Sequence, residues 1–453
     1  MRRLLLVLIV VAAACTGAES PQSSTTTTQE PTTTTMLATV SVDPAAVFEE
    51  ASPALAFIET GVGTGSGILV EGGMVLTAAH VVWPERDVRV VFPNGAERRR
   101  ARVVAADPIS DIAVIDVSAM AGLPSPAVIG DPSALEPGSP VFLIGYPGET
   151  DAFPQPTISQ GIVSRLREWN PVDWSFVQTD ATTIGGQSGG AVVSASGEVV
   201  GLTNFLLGGE FGLSAAIDDV EERVRRLLSG EDVGGLGDRL PPEGGEVTED
   251  VAVLEHFYAS VAYVIEPSVF VDVVTSVRST GEVALAVIAA DSFIEASSAD
   301  GEPFQEVLFR VSLDAPHFIE VRSLGIEAQE VTVRSSVPMV RWVDEDDGQA
   351  LTRGETVAGS IDYPGESDWF TIELIKGQAV TIEVDSVAFD PSLTIDTADN
   401  FAEAKAFDAD RGGGLFGWNP RVTFTADETG EFLVVVEDLD LTGPGAYFVT
   451  VEN

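Results

Sequence analysis

The chain has 453 residues but only one cysteine, three histidines, and 24 Lys+Arg against 70 Asp+Glu. Each scarcity excludes something. With Cys15 alone no intramolecular disulfide can form, so stability has to come from packing, unlike that of the cross-linked small domains common among secreted proteins. A formal net charge of -46 surrounds the molecule with a field that repels polyanions, which excludes nucleic acid as a partner and leaves neutral or basic ones. The plain reading of the acidity is solubility. Long apolar runs are missing too: Leu4 to Val11 is too short to span a bilayer. Aromatic residues are 7% of the chain, yet hydrophobic residues make up 45%, enough for packed cores and too much for wholesale disorder. The length suits about three domains.

The amino terminus has the order of an export signal over residues 1–14: Arg2 and Arg3, the apolar run, then Ala12-Ala13-Ala14. Cys15 follows directly, and the arrangement resembles the lipobox of bacterial lipoproteins. That resemblance implies that Cys15 is lipidated and holds the protein to the cell membrane, facing the extracytoplasmic side. Ala12 stands where a lipobox usually has leucine, and Ala-x-Ala also suits ordinary signal peptidase. Residues 15–39, rich in Ser, Thr and Pro, cannot repay the entropy of folding and read as a stalk.

Residues 40–228 alternate short Val/Ile/Leu runs, such as Val88–Phe92, Ile112–Val117, Val141–Ile144 and Glu198–Leu202, with turns such as Pro93-Asn94-Gly95 and Tyr146-Pro147-Gly148. This rhythm predicts an all-β domain, closed by a helix over Asp218–Leu228 with acids in its first turn and Arg225 and Arg226 near its end. Residues 229–250, rich in glycine and carrying Pro241-Pro242, read as a linker.

A serine becomes a nucleophile when a base takes its proton, a third group orients the base, and donors await the oxyanion. Ser188 lies in Gly185-Gly186-Gln187-Ser188-Gly189-Gly190, His80 in Leu76-Thr77-Ala78-Ala79-His80-Val81-Val82, and Asp111 in Asp107-Pro108-Ile109-Ser110-Asp111-Ile112-Ala113-Val114. Singly, a glycine-flanked serine is usually a turn and an Asp before Ile-Ala-Val a strand cap; together they have the parts of a triad, with Gly186 and Ser188 N–H groups as the oxyanion hole. His256 and His317 lack such context and read as surface or packing residues.

At these residues the chain resembles trypsin-like serine peptidases of the bacterial high-temperature-requirement (Deg-like) type. Gly63-Thr64-Gly65-Ser66-Gly67, Gln178-Thr179-Asp180-Ala181 and Gly212-Leu213-Ser214-Ala215-Ala216-Ile217 match further motifs of that family. The resemblance implies a two-lobed double β-barrel, an endopeptidase acting on unfolded protein or peptide substrates, and no cofactor or metal. Thr182, six residues before the serine, falls at the base of the primary specificity pocket, and Asp180 falls outside it. Gln187 departs from the family's Asn or Asp, leaving no acid for a new amino terminus, and the family's PDZ domain has no counterpart. The oligomeric state is not written in the residues.

The remainder holds a repeat. Ala290–Ala296 matches Ala398–Ala404, Phe270–Val273 matches Thr381–Val384, Val307–Phe309 matches Val422–Phe424, and Phe318–Val321 matches Phe432–Val435. The expectation is two β-sandwich modules, residues 251–340 and 345–453, with a boundary near the acidic run from Asp344 to Asp347. Short motifs in the second, among them Ser367-Asp368-Trp369-Phe370 and Asp390-Pro391-Ser392-Leu393, resemble bacterial pre-peptidase C-terminal domains, implying an appendage that binds surfaces or is removed. The acidic turn Asp438-Leu439-Asp440 offers calcium ligands, although a solvated loop is the simpler reading.

Overall fold

The computed structural model describes residues 42–452 except 62, 149–153, 170, 172–173, 208–210, 231–243, 267–270, 290–293, 299–303, 312–315, 345, 398–403, 410–416, 418 and 440–444. The signal segment, Cys15 and the stalk lie outside the described residues, as does much of the 290–296 and 398–404 match.

The described chain opens with α1 (Pro44–Ala51), where Asp43 accepts a hydrogen bond from Ala45 N–H and Pro44 supplies a preset first turn. Six strands follow: β1 (Leu55–Glu59), β2 (Thr64–Val70), β3 (Met74–Thr77), β4 (Asp87–Val91), β5 (Glu97–Asp107) and β6 (Ile112–Asp116), with α2 (Ala79–Val82) after β3. They close into a barrel in the order β1-β2-β3-β6-β5-β4. A second set, β7 (Pro140–Gly145), β8 (Thr157–Trp169), β9 (Trp174–Thr179), β10 (Ala191–Ser194), β11 (Val199–Leu207) and β12 (Phe211–Ala216), closes in the order β7-β8-β9-β12-β11-β10. The two barrels therefore share one connectivity, strand for strand. Period-two burial explains β4, whose Val88 and Val90 are buried between the more exposed Asp87, Arg89 and Val91. Then comes α3 (Ile217–Leu228), one residue longer at its start than its sequence pattern indicates, with Ile217, Val220 and Val224 buried at helical spacing.

The rest is also β. The first module comprises β13 (Val247–Leu254), β14 (Ser260–Ile265), β15 (Val271–Ser279), β16 (Val283–Ala289), β17 (Ile294–Ser298), β18 (Phe304–Val311), β19 (His317–Ser323) and β20 (Gln329–Trp342). The second comprises β21 (Thr356–Ile361), β22 (Ser367–Leu374), β23 (Ala379–Asp385), β24 (Pro391–Asp396), β25 (Ala406–Asp408), β26 (Arg421–Thr425), β27 (Gly430–Asp438) and β28 (Gly445–Val451). The second module is two four-stranded sheets, β21-β28-β23-β26 and β22-β27-β24-β25; the first has the matching orders β13-β20-β15-β18 and β14-β19-β16-β17. They differ at β20, which pairs with β13 and β15 and, through its end, with β14, joining the sheets of the first module. β13 begins at Val247, inside the stretch that reads as linker.

Neither module hangs free of the barrels. A continuous apolar cluster runs from the first barrel into Ala262, Phe318, Trp342 and Tyr363. Trp83, just past α2, packs edge-on against Trp342 at 5.3 Å and donates its indole N–H to the Asp362 carbonyl at 2.9 Å. Trp169, at the end of β8, packs on Phe448 at 5.1 Å and donates to Asp385 at 2.9 Å. An appendage expected at the end of a linker is instead docked on both barrels, because buried tryptophans with satisfied N–H groups make adhesive contacts. His256 is buried edge-on against Trp369 at 4.2 Å, and His317 is 1% exposed; both are packing residues.

Candidate active site

Equivalent connections of the two barrels carry the central residues: His80 lies on the link from β3 to β4, Ser188 on the link from β9 to β10. Ala79, Val81 and Val82 anchor α2 by burial, while the His80 side chain keeps 36% of its surface open. Asp111 lies in the turn from β5 to β6 at φ 49°, the one positive-φ non-glycine residue among those described. Its carboxylate settles that backbone through two bonds. Oδ1 accepts from His80 N–H at 2.9 Å, and Oδ2 faces His80 Nδ1 at 2.8 Å. A proton held on Nδ1 leaves Nε2 as the basic nitrogen. Desolvation lowers the imidazole pKa, but the Asp111 charge and hydrogen bond outweigh it and set the net value above the ordinary one.

A second carboxylate holds this turn, and sequence reasoning missed its role. Asp107, 1% exposed, accepts from Ile109 N–H at 3.0 Å, from the Ser110 hydroxyl, and from Nε of Arg223 on α3. From the second barrel, Asn204 donates to the Ser110 carbonyl at 3.1 Å while its own Oδ1 accepts from Ala215 N–H at 3.1 Å. Asn204 stands at a register shift in β11, where a bulge re-aims a side chain. Asp107 was visible four positions before Asp111, but nothing local in the sequence marks Arg223 or Asn204 as its company.

The nucleophile loop is fastened to β2. The Ser188 carbonyl accepts from Ser66 N–H at 2.8 Å. A Cβ on Gly189, at φ 78°, would collide with Ser66 and stand 3.0 Å from Ala78 N, so only glycine lets the loop lie against the chain that leads into α2. Gly186 has φ 89°, and its carbonyl accepts from the Ser66 hydroxyl at 2.8 Å; that hydroxyl in turn accepts from Tyr146 N–H at 2.8 Å. Gln187, 2% exposed, braces the loop from within, Oε1 accepting from Ile184 N–H at 2.9 Å and Nε2 donating to Thr157 at 3.2 Å. Among the described residues, Gly186 N–H and Ser188 N–H have no protein acceptor. Ser188 Oγ likewise makes no hydrogen bond there, so of the expected triad's two hydrogen bonds the Asp111–His80 one is formed and the Ser188–His80 one is not.

Thr182 is exposed, its carbonyl accepting from Ser159 Oγ at 2.8 Å. Asp180 turns its carboxylate to the backbone of β8, accepting from Ile162 N–H at 2.7 Å. Among the described residues, one set of carboxylates converges closely enough for a metal, Asp344, Glu366 and Asp368, and none of these belongs to this site.

Residues 65–202 match the family model described as a trypsin-like peptidase domain. The chain is 32% identical over 202 residues to the mitochondrial serine protease HTRA2 of Bos taurus, which covers 41% of this chain and 42% of that protein. It is 34% identical over 196 residues to a probable periplasmic serine endoprotease DegP-like of Halomonas elongata, covering 41% of this chain and 40% of that one. The chain thus spans about two fifths of the length of these curated relatives. Among solved structures it is similar to the HtrA-type protease AlgW with tripeptide, at 28% sequence identity and a TM-score of 0.37, covering 41% of this chain and 63% of that one.

Proposed function

We propose that the chain is an exported serine endopeptidase, tethered to a membrane through Cys15, that hydrolyses protein or peptide substrates in envelope quality control or processing. The observation that carries this is the two-point hold of Asp111 on His80 beside a glycine-framed Ser188. In the reaction Ser188 Oγ attacks the peptide carbonyl, His80 Nε2 takes its proton and returns it to the leaving amine, and Gly186 and Ser188 N–H groups receive the oxyanion. Water then hydrolyses the acyl-enzyme, with His80 again as base. Asp107, Arg223 and Asn204 hold the Asp111 turn without touching substrate.

Labelling of the full chain by a fluorophosphonate probe, lost in Ser188→Ala, is the expected outcome; labelling that persists in the variant refutes Ser188. The unformed Ser188–His80 contact favours a second reading, a latent protease fold serving as a scaffold for its sandwich modules. A wild-type chain that neither takes the probe nor cleaves unfolded casein decides for that reading.

Two finer readings follow. A neutral Thr182, with Asp180 engaged elsewhere, leaves no carboxylate to offset the desolvation of a buried Lys or Arg, so cleavage follows small or medium aliphatic residues. Mapping cuts in a denatured protein library by mass spectrometry tests this, and a majority of cuts after Lys or Arg overturns it. For the anchor, Cys15→Ser is expected to release the protein from the detergent phase or to block its processing.

A further inference from the structure

We propose that the junction of the two C-terminal modules is a binding site for one hard divalent cation, calcium foremost, built from Asp344, Glu366 and Asp368. Each offers one carboxylate oxygen, and these oxygens lie within 4.8 Å of one another. Calcium–oxygen bonds of about 2.3–2.6 Å place ligands across one ion about 5 Å apart, so the group fits around a single centre. The donor set is all oxygen, without the His or Cys that zinc prefers.

Burial distinguishes this group from a solvated acidic loop. Asp368 is 0% and Glu366 4% exposed. Asp368 Oδ2 accepts from the Tyr447 hydroxyl, but its Oδ1 is buried with no hydrogen-bond partner among the described residues. Ser360, whose N–H is held by Asp346 at 2.6 Å, likewise has a buried Oγ with no hydrogen-bond partner among the described residues. A buried carboxylate oxygen left bare is costly, and a cation removes that cost. The charges acting most on Glu366 come from Asp362, Asp368 and Asp344, and those on Asp368 from Asp344, Asp346 and Asp347, all acids.

The surroundings give the site a consequence. Asp347 accepts from Trp369 N–H at 3.0 Å, folding the acidic run against β22. Asp362 donates its N–H to Glu366, accepts from the Trp342 indole at 2.9 Å, and through its carbonyl accepts from the Trp83 indole at 2.9 Å. One residue thus links a proposed ligand to the tryptophan that ends α2, the element carrying His80. An ion here would clamp the second module onto the catalytic lobe.

The test uses the full-length chain in detergent, stripped with EDTA. Tb3+ luminescence sensitised by tryptophan, displaced by Ca2+, reads binding; thermal unfolding with and without Ca2+ reads stability. A single displaceable site is expected, and Ca2+ at a hundred times Kd should raise the folded-to-unfolded ratio about a hundredfold. In Glu366→Gln/Asp368→Asn both responses vanish, while the EDTA-treated variant unfolds no earlier than EDTA-treated wild type, because repelling charges are gone. This separates a lost site from a lost fold. Should the double variant fold poorly, Asp344→Asn on the half-buried arm is expected to weaken Ca2+ binding at least tenfold with its EDTA midpoint no lower than that of wild type. No saturable binding by the wild type, or binding that survives in these variants, overturns the proposal.

Discussion

Two of this molecule's groups of buried acids are treated in opposite ways. In the catalytic lobe Asp107 and Asp111 are met by the side chains of Arg223 and His80 and by the backbone N–H groups of His80 and Ile109. At the module junction the charges acting most on Glu366 and Asp368 come from further acids, and one oxygen of Asp368 has no hydrogen-bond partner among the described residues. Where the chain supplies its own counter-charges, acids set geometry, and removing a partner harms the fold. Where it does not, acids store repulsion, and removing one relieves it. Neutralising a carboxylate should therefore have opposite signs in the two regions.

The largest effect is expected at Asp111. Replacing it by Asn leaves the size unchanged but removes the acceptor that fixes the His80 tautomer, and kcat should fall by about 10^4. The pH profile sharpens the point. His80 must be neutral to act as base, so activity is lost as pH falls through its pKa, which Asp111 holds above the ordinary imidazole value. In Asp111→Asn only the desolvation contribution remains, and the residual activity should persist to lower pH than that of the wild type. A midpoint that does not move would show that Asp111 orients His80 without charging it.

Next in size is the buried pair behind that turn. Arg223→Met leaves Asp107 buried and unpaired, and breaking such a pair costs about 3–5 kcal/mol. Urea unfolding should show the loss, and a second change, Asp107→Asn, should restore part of it by removing the stranded charge. Asp368→Asn measured in EDTA should move the midpoint the other way. Equal signs in the two regions would abolish the contrast.

How much of this was legible depended on the range of the interactions. His80, Asp111 and Ser188 stand in local frames of glycine, turn residues and strand ends, so the triad proposed for them could be drawn from a few neighbours. The module repeat was legible because apolar pairs recur at matching strands, β15 with β23 and β19 with β27. The supports were not: Asn204 reaches Ser110 across 94 residues, Arg223 reaches Asp107 across 116, and Ser66 reaches Gly186 across 120. No periodicity announces such pairs. Nothing local marks Trp83 and Trp169, because docking is written in the partner surface, and the acidic run read as a boundary because its burial depends on contacts with β21 and β22.

The smallest effect expected, and the most discriminating, is at Ser66, an uncharged residue that serves the catalytic lobe as Asp107 does. It is 0% exposed, and its hydroxyl both donates to the Gly186 carbonyl and accepts from Tyr146 N–H, tying the oxyanion loop to both barrels. Ser66→Ala strips a partner from two backbone groups, which costs about 1–3 kcal/mol where such groups are buried. If the hydroxyl only stabilises, the loss appears in the unfolding midpoint and the kinetics stay the same. If it also holds Gly186 at its left-handed φ, the donors no longer wait in place for the transition state. In that case kcat should fall about ten- to hundredfold with KM nearly constant, since an interaction used only in the transition state is lost from kcat alone. Steady-state kinetics on a chromogenic peptide with an aliphatic residue before the cut distinguishes the two. The split toward kcat is the expected result, because Gln187 braces Ile184 and Thr157 but makes no bond to the Gly186 carbonyl, leaving Ser66 as its support among the described residues.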